Sequence, residues 1–320
     1  MAMEPRRATL RALAKINLTL EVLNKRPDGY HDLRTVFQTI SLADTIEVEY
    51  TRSRRRQITI DSNLDIPNNL VVRAAEAVLE ASGATGNLCF RLSKRIPMGG
   101  GLGGGSTDAA AVLLAVPVLT GRAVGLEKLL EIGATLGSDV PFFLTGGTAL
   151  GLGRGTEVYP LVEAHAAHVL VVAPDVHVST AEAYSALGRA LTSTPSSHKI
   201  NTSQCLALTL GTSLSPGGWA GFCSNDFEAV VFRQHPLLRA IKTKLNKGGA
   251  RPALLTGSGA AVFGVFESAE AMRRVQRSFR KENVIPVSFI SRQRYRAMWW
   301  SQLAQHIEGK SWPPQSRYAR

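Results

Sequence analysis

At 320 residues, 44% of them hydrophobic, the chain is long enough for two ordinary domains and too apolar for a disordered one. Its 37 lysines and arginines against 25 aspartates and glutamates give +12 at neutral pH, which favours anionic partners without choosing among nucleic acid, acidic membrane and phosphorylated small molecules. No apolar run reaches the roughly 18 residues of a membrane span, no apolar stretch of a secretory signal stands at the N-terminus, and three scattered cysteines argue against a disulfide framework, so a cytoplasmic protein is expected.

In chain order, 8–23, 35–51 and 87–96 carry the alternation and β-branched content of strands, whereas 69–83 has apolar residues at helical spacing and ends on glycine. Lys15 and Asn17 share one face of the first strand. A Pro-Asp-Gly turn and the pair Tyr30 and His31 follow. Residues 109–121 read as a buried helix interrupted or ended near Pro117, and 126–147 as a helix, a turn holding Asp139, then a short helix or strand. A new αβ pattern begins near residue 165. It runs through a Ser, Thr, Pro and Gly-rich connection at 188–218 to a second glycine-serine turn in 254–264. From 298 the composition changes to a basic, tryptophan-bearing tail. The predicted division is 1–164, 165–297 and 298–320.

The segment PMGGGLGGGST (97–107) holds six glycines, each costing on the order of 1 kcal/mol against alanine. Ser106, Thr107 and Asp108 are placed to cap the Ala-rich helix behind it. Unpaired N–H groups and the positive end of the helix dipole make that junction an anion site. It is not a Walker A loop, because Gly105 rather than lysine precedes Ser106, nor a dinucleotide fingerprint. A flexible hinge is the plain alternative for the loop; a helix cap is the alternative for Asp139, a surface lysine for Lys15, and a solvated face for RSRRR (52–56).

The order AKINL (14–18), RPDGYH (26–31), PMGGGLGGGST, LGSDVPFF (136–143) and LTGSGAAVFG (255–264) resembles the GHMP kinase superfamily over residues 8–290. The long glycine loop with GYH is similar to the branch that phosphorylates a cytidine-diphosphate-linked alcohol of isoprenoid synthesis. The resemblance implies an α+β fold of two domains, an N-terminal one like the second domain of ribosomal protein S5 and a ferredoxin-like C-terminal one, with the site in the cleft between. It implies ATP with Mg²⁺ as cofactor, Asp139 and Lys15 as the catalytic pair, and phosphates wrapped by Pro97, Met98, Gly99, Gly100, Gly101, Leu102, Gly103, Gly104, Gly105, Ser106 and Thr107. It further implies Asn69 and Lys94 near the adenine, Tyr30, His31, Thr180 and Tyr184 around the cytosine, and Asn17 at the polyol end. Small-molecule substrates, and no nucleic acid, are the expected partners. The sequence leaves the oligomeric state and the metal ligands open.

Overall fold

Two long antiparallel strands, β1 (Arg6–Lys25) and β2 (His31–Thr51), form the spine of the molecule, a computed structural model that describes residues 4–187 and 223–307. The connection predicted at 188–218 and most of the tail lie outside the described residues. β1 alternates buried and exposed residues up to Arg11 and is then buried on both faces from Ala12 to Leu18. That change marks where a second layer begins to cover it.

On the spine, β3 (Gln57–Ser62) and β4 (Asn87–Ser93) extend one side, and β5 (Thr148–Gly153) with β6 (Glu157–Pro160) branches from β2. Helices α1 (Leu70–Ser82), α2 (Gly104–Thr120), α3 (Leu126–Leu136) and the single turn α4 (Val140–Phe143) cover one face of this sheet. α2 is the central one: its residues from Thr107 to Leu119 are all buried, which explains a run apolar on every side. The helix does not stop at Pro117, as the sequence suggested, but continues to Thr120. It ends at left-handed Gly121, whose N–H bonds the Val118 carbonyl.

The second half builds a four-stranded antiparallel sheet from β7 (Val169–Ala173), β9 (Ala253–Leu255), β10 (Val262–Val265) and β11 (Asn283–Val287), in the order β11-β7-β10-β9. Between these strands run α5 (Thr180–Ala186), α6 (Glu228–Gln234), α7 (Pro236–Lys247) and α8 (Ala269–Ser278). The arrangement is ferredoxin-like. Strand alternation divides this sheet: Leu170, Val172 and Val262 face the helices, and Val169, Val171 and Phe263 pack against Ala14, Ile16 and Leu18 of β1.

Two elements cross the division expected from sequence. The two-residue strand β8 (Ser224–Asn225) joins the first sheet, parallel to β1 at Thr19 and Leu20. Helix α9 (Arg292–Leu303), which runs through the expected boundary at 298, returns to the first core with Tyr295, Trp299 and Leu303 buried there.

Candidate active site

The glycine loop alternates left-handed residues, Gly99, Gly101 and Gly103, with φ of 67, 71 and 72°. Such alternation turns successive backbone N–H groups to one side as an anion nest. Two glycines are required sterically. A Cβ on Gly101 would stand 2.2 Å from the Thr256 carbonyl oxygen, and one on Gly103 would stand 2.8 Å from the Phe143 ring.

The carbonyls of Gly99, Gly100, Gly101 and Leu102 are each engaged. Ala260 N donates to Gly99 O (3.1 Å), Ala261 N to Gly100 O (3.3 Å), Thr256 Oγ1 to Gly101 O (3.3 Å) and Lys15 N to Leu102 O (3.0 Å). With its carbonyls held from behind by β1 and the 256–261 turn, the loop keeps the open end of α2 toward the cleft. Gly103 is the N-cap residue and makes no side-chain cap. Ser106, Thr107 and Asp108, read from sequence as caps, lie inside the first turns instead. Glycine permits the loop to close on the helix sooner than a capping side chain would.

Register irregularities in the β1–β2 ladder fall between Leu13 and Lys15 and between Asn17 and Thr19, so a bulge brackets each side of the Lys15–Asn17 pair. Lys15 is 3% exposed. Its ammonium reaches Asn17 Oδ1 at 2.8 Å and Asp139 Oδ2 at 3.1 Å, above the Phe37 ring. The Asp139 side chain, 28% exposed, makes no capping bond to α4 although it stands at the N-cap position. The carboxylate therefore remains free of a capping role and faces the ammonium. Asn17 is a hub: its Oδ1 also accepts from Gly257 N (2.9 Å), and its Nδ2 donates to Thr35 Oγ1 (2.7 Å). That hub aims Lys15 and ties β1 to the second half.

A cleft of about 840 Å³ runs from this pair to the far end of the β1–β2 turn. It is lined by Gly101, Gly103, Ser106, Lys15, Asn17, Asp139, Tyr30, His31, Thr180 and Tyr184. Half-exposed Tyr30 lies beneath the Arg154 guanidinium, 3.7 Å from its ring centroid, and His31 stacks on Tyr184 at 4.8 Å. The resemblance implied Tyr30 and Tyr184 around the cytosine. Here each ring has a protein partner on one face. Burial first, and then Lys25, holds the His31 imidazole below its usual pKa, while burial followed by Asp139 raises the Tyr184 hydroxyl. Thr180 Oγ1 and Ser258 Oγ are 2.8 Å apart across the cleft wall.

Lys94 and Asn69 do not line this cleft. Asn69 caps α1, its side chain accepting from Val71 N at 3.0 Å. Lys94 is buried beneath the glycine loop between Asp44 and Asp108. Sequence reasoning missed Arg154 and Thr35. The one cue for Arg154 was a basic residue between Gly153 and Gly155 at a strand end; nothing in the sequence distinguished Thr35.

Among the described residues no group of three or more His, Cys, Asp or Glu could hold a metal ion, and no helix is long and apolar enough to cross a membrane. An anion nest, a carboxylate and an ammonium at the junction of an α+β domain and a ferredoxin-like one define a small-molecule kinase of the GHMP class. Residues 69–147 match the GHMP kinases N terminal domain, and 217–285 match GHMP kinases C terminal.

The chain is 51% identical over 317 residues, 98% of either chain, to a 4-diphosphocytidyl-2-C-methyl-D-erythritol kinase of Solibacter usitatus. It is 40% identical to one of Geobacter sp. strain M21, over 82% of this chain and 91% of the relative. It belongs to that family of kinases. A crystal structure of 4-(cytidine 5'-diphospho)-2C-methyl-D-erythritol kinase superposes with a TM-score of 0.71 at 34% identity, over 88% of this chain and 98% of the other. The homoserine kinase of Cytophaga hutchinsonii, at 19% identity and a TM-score of 0.66 over 92% and 98%, shares the fold.

Proposed function

We propose that the protein transfers the γ-phosphoryl group of ATP, bound as its magnesium complex, to the C2 hydroxyl of 4-diphosphocytidyl-2-C-methyl-D-erythritol. The observation that carries the reading is the Lys15–Asp139 pair at 3.1 Å, set in one cleft with the glycine nest and the aromatic cluster. Phosphoryl transfer asks of a protein chiefly positioning and electrostatic stabilisation. The nest residues 97–107 bind the phosphate oxygens through backbone N–H groups, helped by the Ser106 hydroxyl. Asp139 accepts the proton of the acceptor hydroxyl as its oxygen attacks phosphorus and the bond to the ADP oxygen breaks. Lys15 pairs with the Asp139 carboxylate and offsets charge on the transferred group. No chain residue is assigned to the Mg²⁺, which Mg-nucleotides coordinate largely through phosphates and water.

At the other end, Tyr30 and Tyr184 offer aromatic faces to the cytosine and His31 its ring nitrogens to the base edge, with Thr180 beside them. Asn17 acts at the polyol end by aiming Lys15. The test is turnover of purified protein with MgATP and, separately, the cytidyl alcohol, mevalonate and homoserine. Phosphorylation of the first alone is expected; turnover of mevalonate or homoserine in its place overturns the reading.

A further inference from the structure

Beneath the nest, three charged groups share a dry space. Asp44, on β2, has no exposed surface, and the side chains of Lys94 and Asp108 are each 4% exposed. Lys94 Nζ donates to Asp44 Oδ2 and, at 2.6 Å, to Asp108 Oδ2. Asp44 Oδ1 accepts from Arg95 N and from Ile96 N (2.8 Å), whereas Asp108 Oδ1 is buried without any partner. Two acids and one base cannot be neutral while both acids are ionised. Asp44 is the fully partnered acid, facing an ammonium and two backbone donors. Asp108, with one empty oxygen, is the acid able to carry a proton.

The other elements packed against α2 do not change this sum. α1 turns uncharged Val71, Ala74, Ala75 and Val78 inward, α3 presents Leu129 and Ile132, and α4 is wholly apolar. The buried charge of β1 is Lys15, engaged by Asp139 and Asn17. The cluster also lies close to the nest. A Cβ on Gly104, the first residue of α2, would stand 3.2 Å from Lys94 Nζ, and Asp108 follows Gly104 by four residues, about 6 Å of helix rise. Fixed negative charge there opposes an incoming polyphosphate across a medium that screens poorly.

We propose that Asp108 is a positioning residue that binds a proton as a nucleotide's phosphates enter the nest, leaving the cluster beneath them neutral. The proposal rests on the reading of the nest as the ATP site. Burial first, opposed by Lys94 and reinforced by Asp44, pushes the Asp108 carboxyl up to about 7. Burial alone would lower Lys94, but the two carboxylates beside it hold it raised and charged.

The test is isothermal titration of the full chain with MgATP, without acceptor, between pH 6.5 and 8.5 in buffers of different ionisation enthalpy, for wild type and Asp108→Asn. Up to one extra proton is taken up by the wild type near pH 8, and its affinity falls as much as about tenfold per pH unit above neutrality relative to the variant. Equal proton uptake and parallel affinity profiles overturn the proposal. Should the variant not fold, an infrared difference spectrum of wild type on ATP addition at pH 8 replaces the comparison. A growing protonated-carboxyl band supports the proposal, and no such band overturns it. Failure of ATP to bind at all overturns the kinase reading and this proposal together, whereas binding without proton uptake overturns this proposal alone.

Discussion

Asp139 and Lys15 stand 3.1 Å apart, one partly open to the cleft and the other sealed. Replacing Asp139 by Asn keeps the shape and removes the base, so kcat is expected to fall by roughly 10²–10⁴-fold with ATP affinity nearly unchanged, measured by steady-state assay beside titration of nucleotide. An equal loss of both would make the residue structural. For Asp108 the sign of the stability effect follows from a raised carboxyl. The folded state binds more protons than the unfolded one between the ordinary aspartate range and about 7, so this group's contribution to stability declines as pH rises through that window. The Tm of Asp108→Asn relative to wild type is therefore expected to improve from pH 5 to 8. Residues in the quoted motifs were legible because short runs such as AKINL and LGSD fix both type and spacing. The cluster was not, because Asp44, Lys94 and Asp108 lie on three segments and only the fold adds up their charges.

Elements show the same division. The helix 69–83 was readable from its apolar spacing and its terminal glycine, and the structure places that glycine, Gly83, in the left-handed cap. The basic run at 52–56 concealed a specific contact. Arg56 Nη2 donates to Leu79 O (3.2 Å) and its Nε to Ala84 O (3.0 Å), closing the carbonyl end of α1. Arg56→Ala should cost about 1 kcal/mol in chemical denaturation. Arg55→Ala, at an exposed position, should cost less than half of that. The glycine loop is expected to tolerate substitution least at Gly101. Alanine there collides with the backbone of the 256–257 turn in a left-handed conformation, so nucleotide affinity should drop by more than tenfold while the far-UV spectrum is retained.

For the molecule as a whole, the second sheet begins with β7 at Val169, and β8 and α9 tie the two halves together. Composition marks 298 onward as a tail, yet Trp299 is 1% exposed in the first core and the Tyr295 hydroxyl bonds the Phe143 carbonyl at 2.6 Å. The neighbouring Trp300, 42% exposed, faces solvent. Trp299→Ala is expected to destabilise the protein by about 3–5 kcal/mol, read from the denaturation midpoint, as for a fully buried aromatic. A loss below 1 kcal/mol would mean that α9 is an appendage.

Three of the four donors that grip the glycine loop from behind sit at residues 256–261, more than 150 positions downstream of it. During synthesis the loop emerges well before these three donors, so its carbonyls are held only once the distal turn has followed. A chain stopped before the distal turn is therefore expected to bind ATP more weakly than the full chain, even where the first sheet has formed.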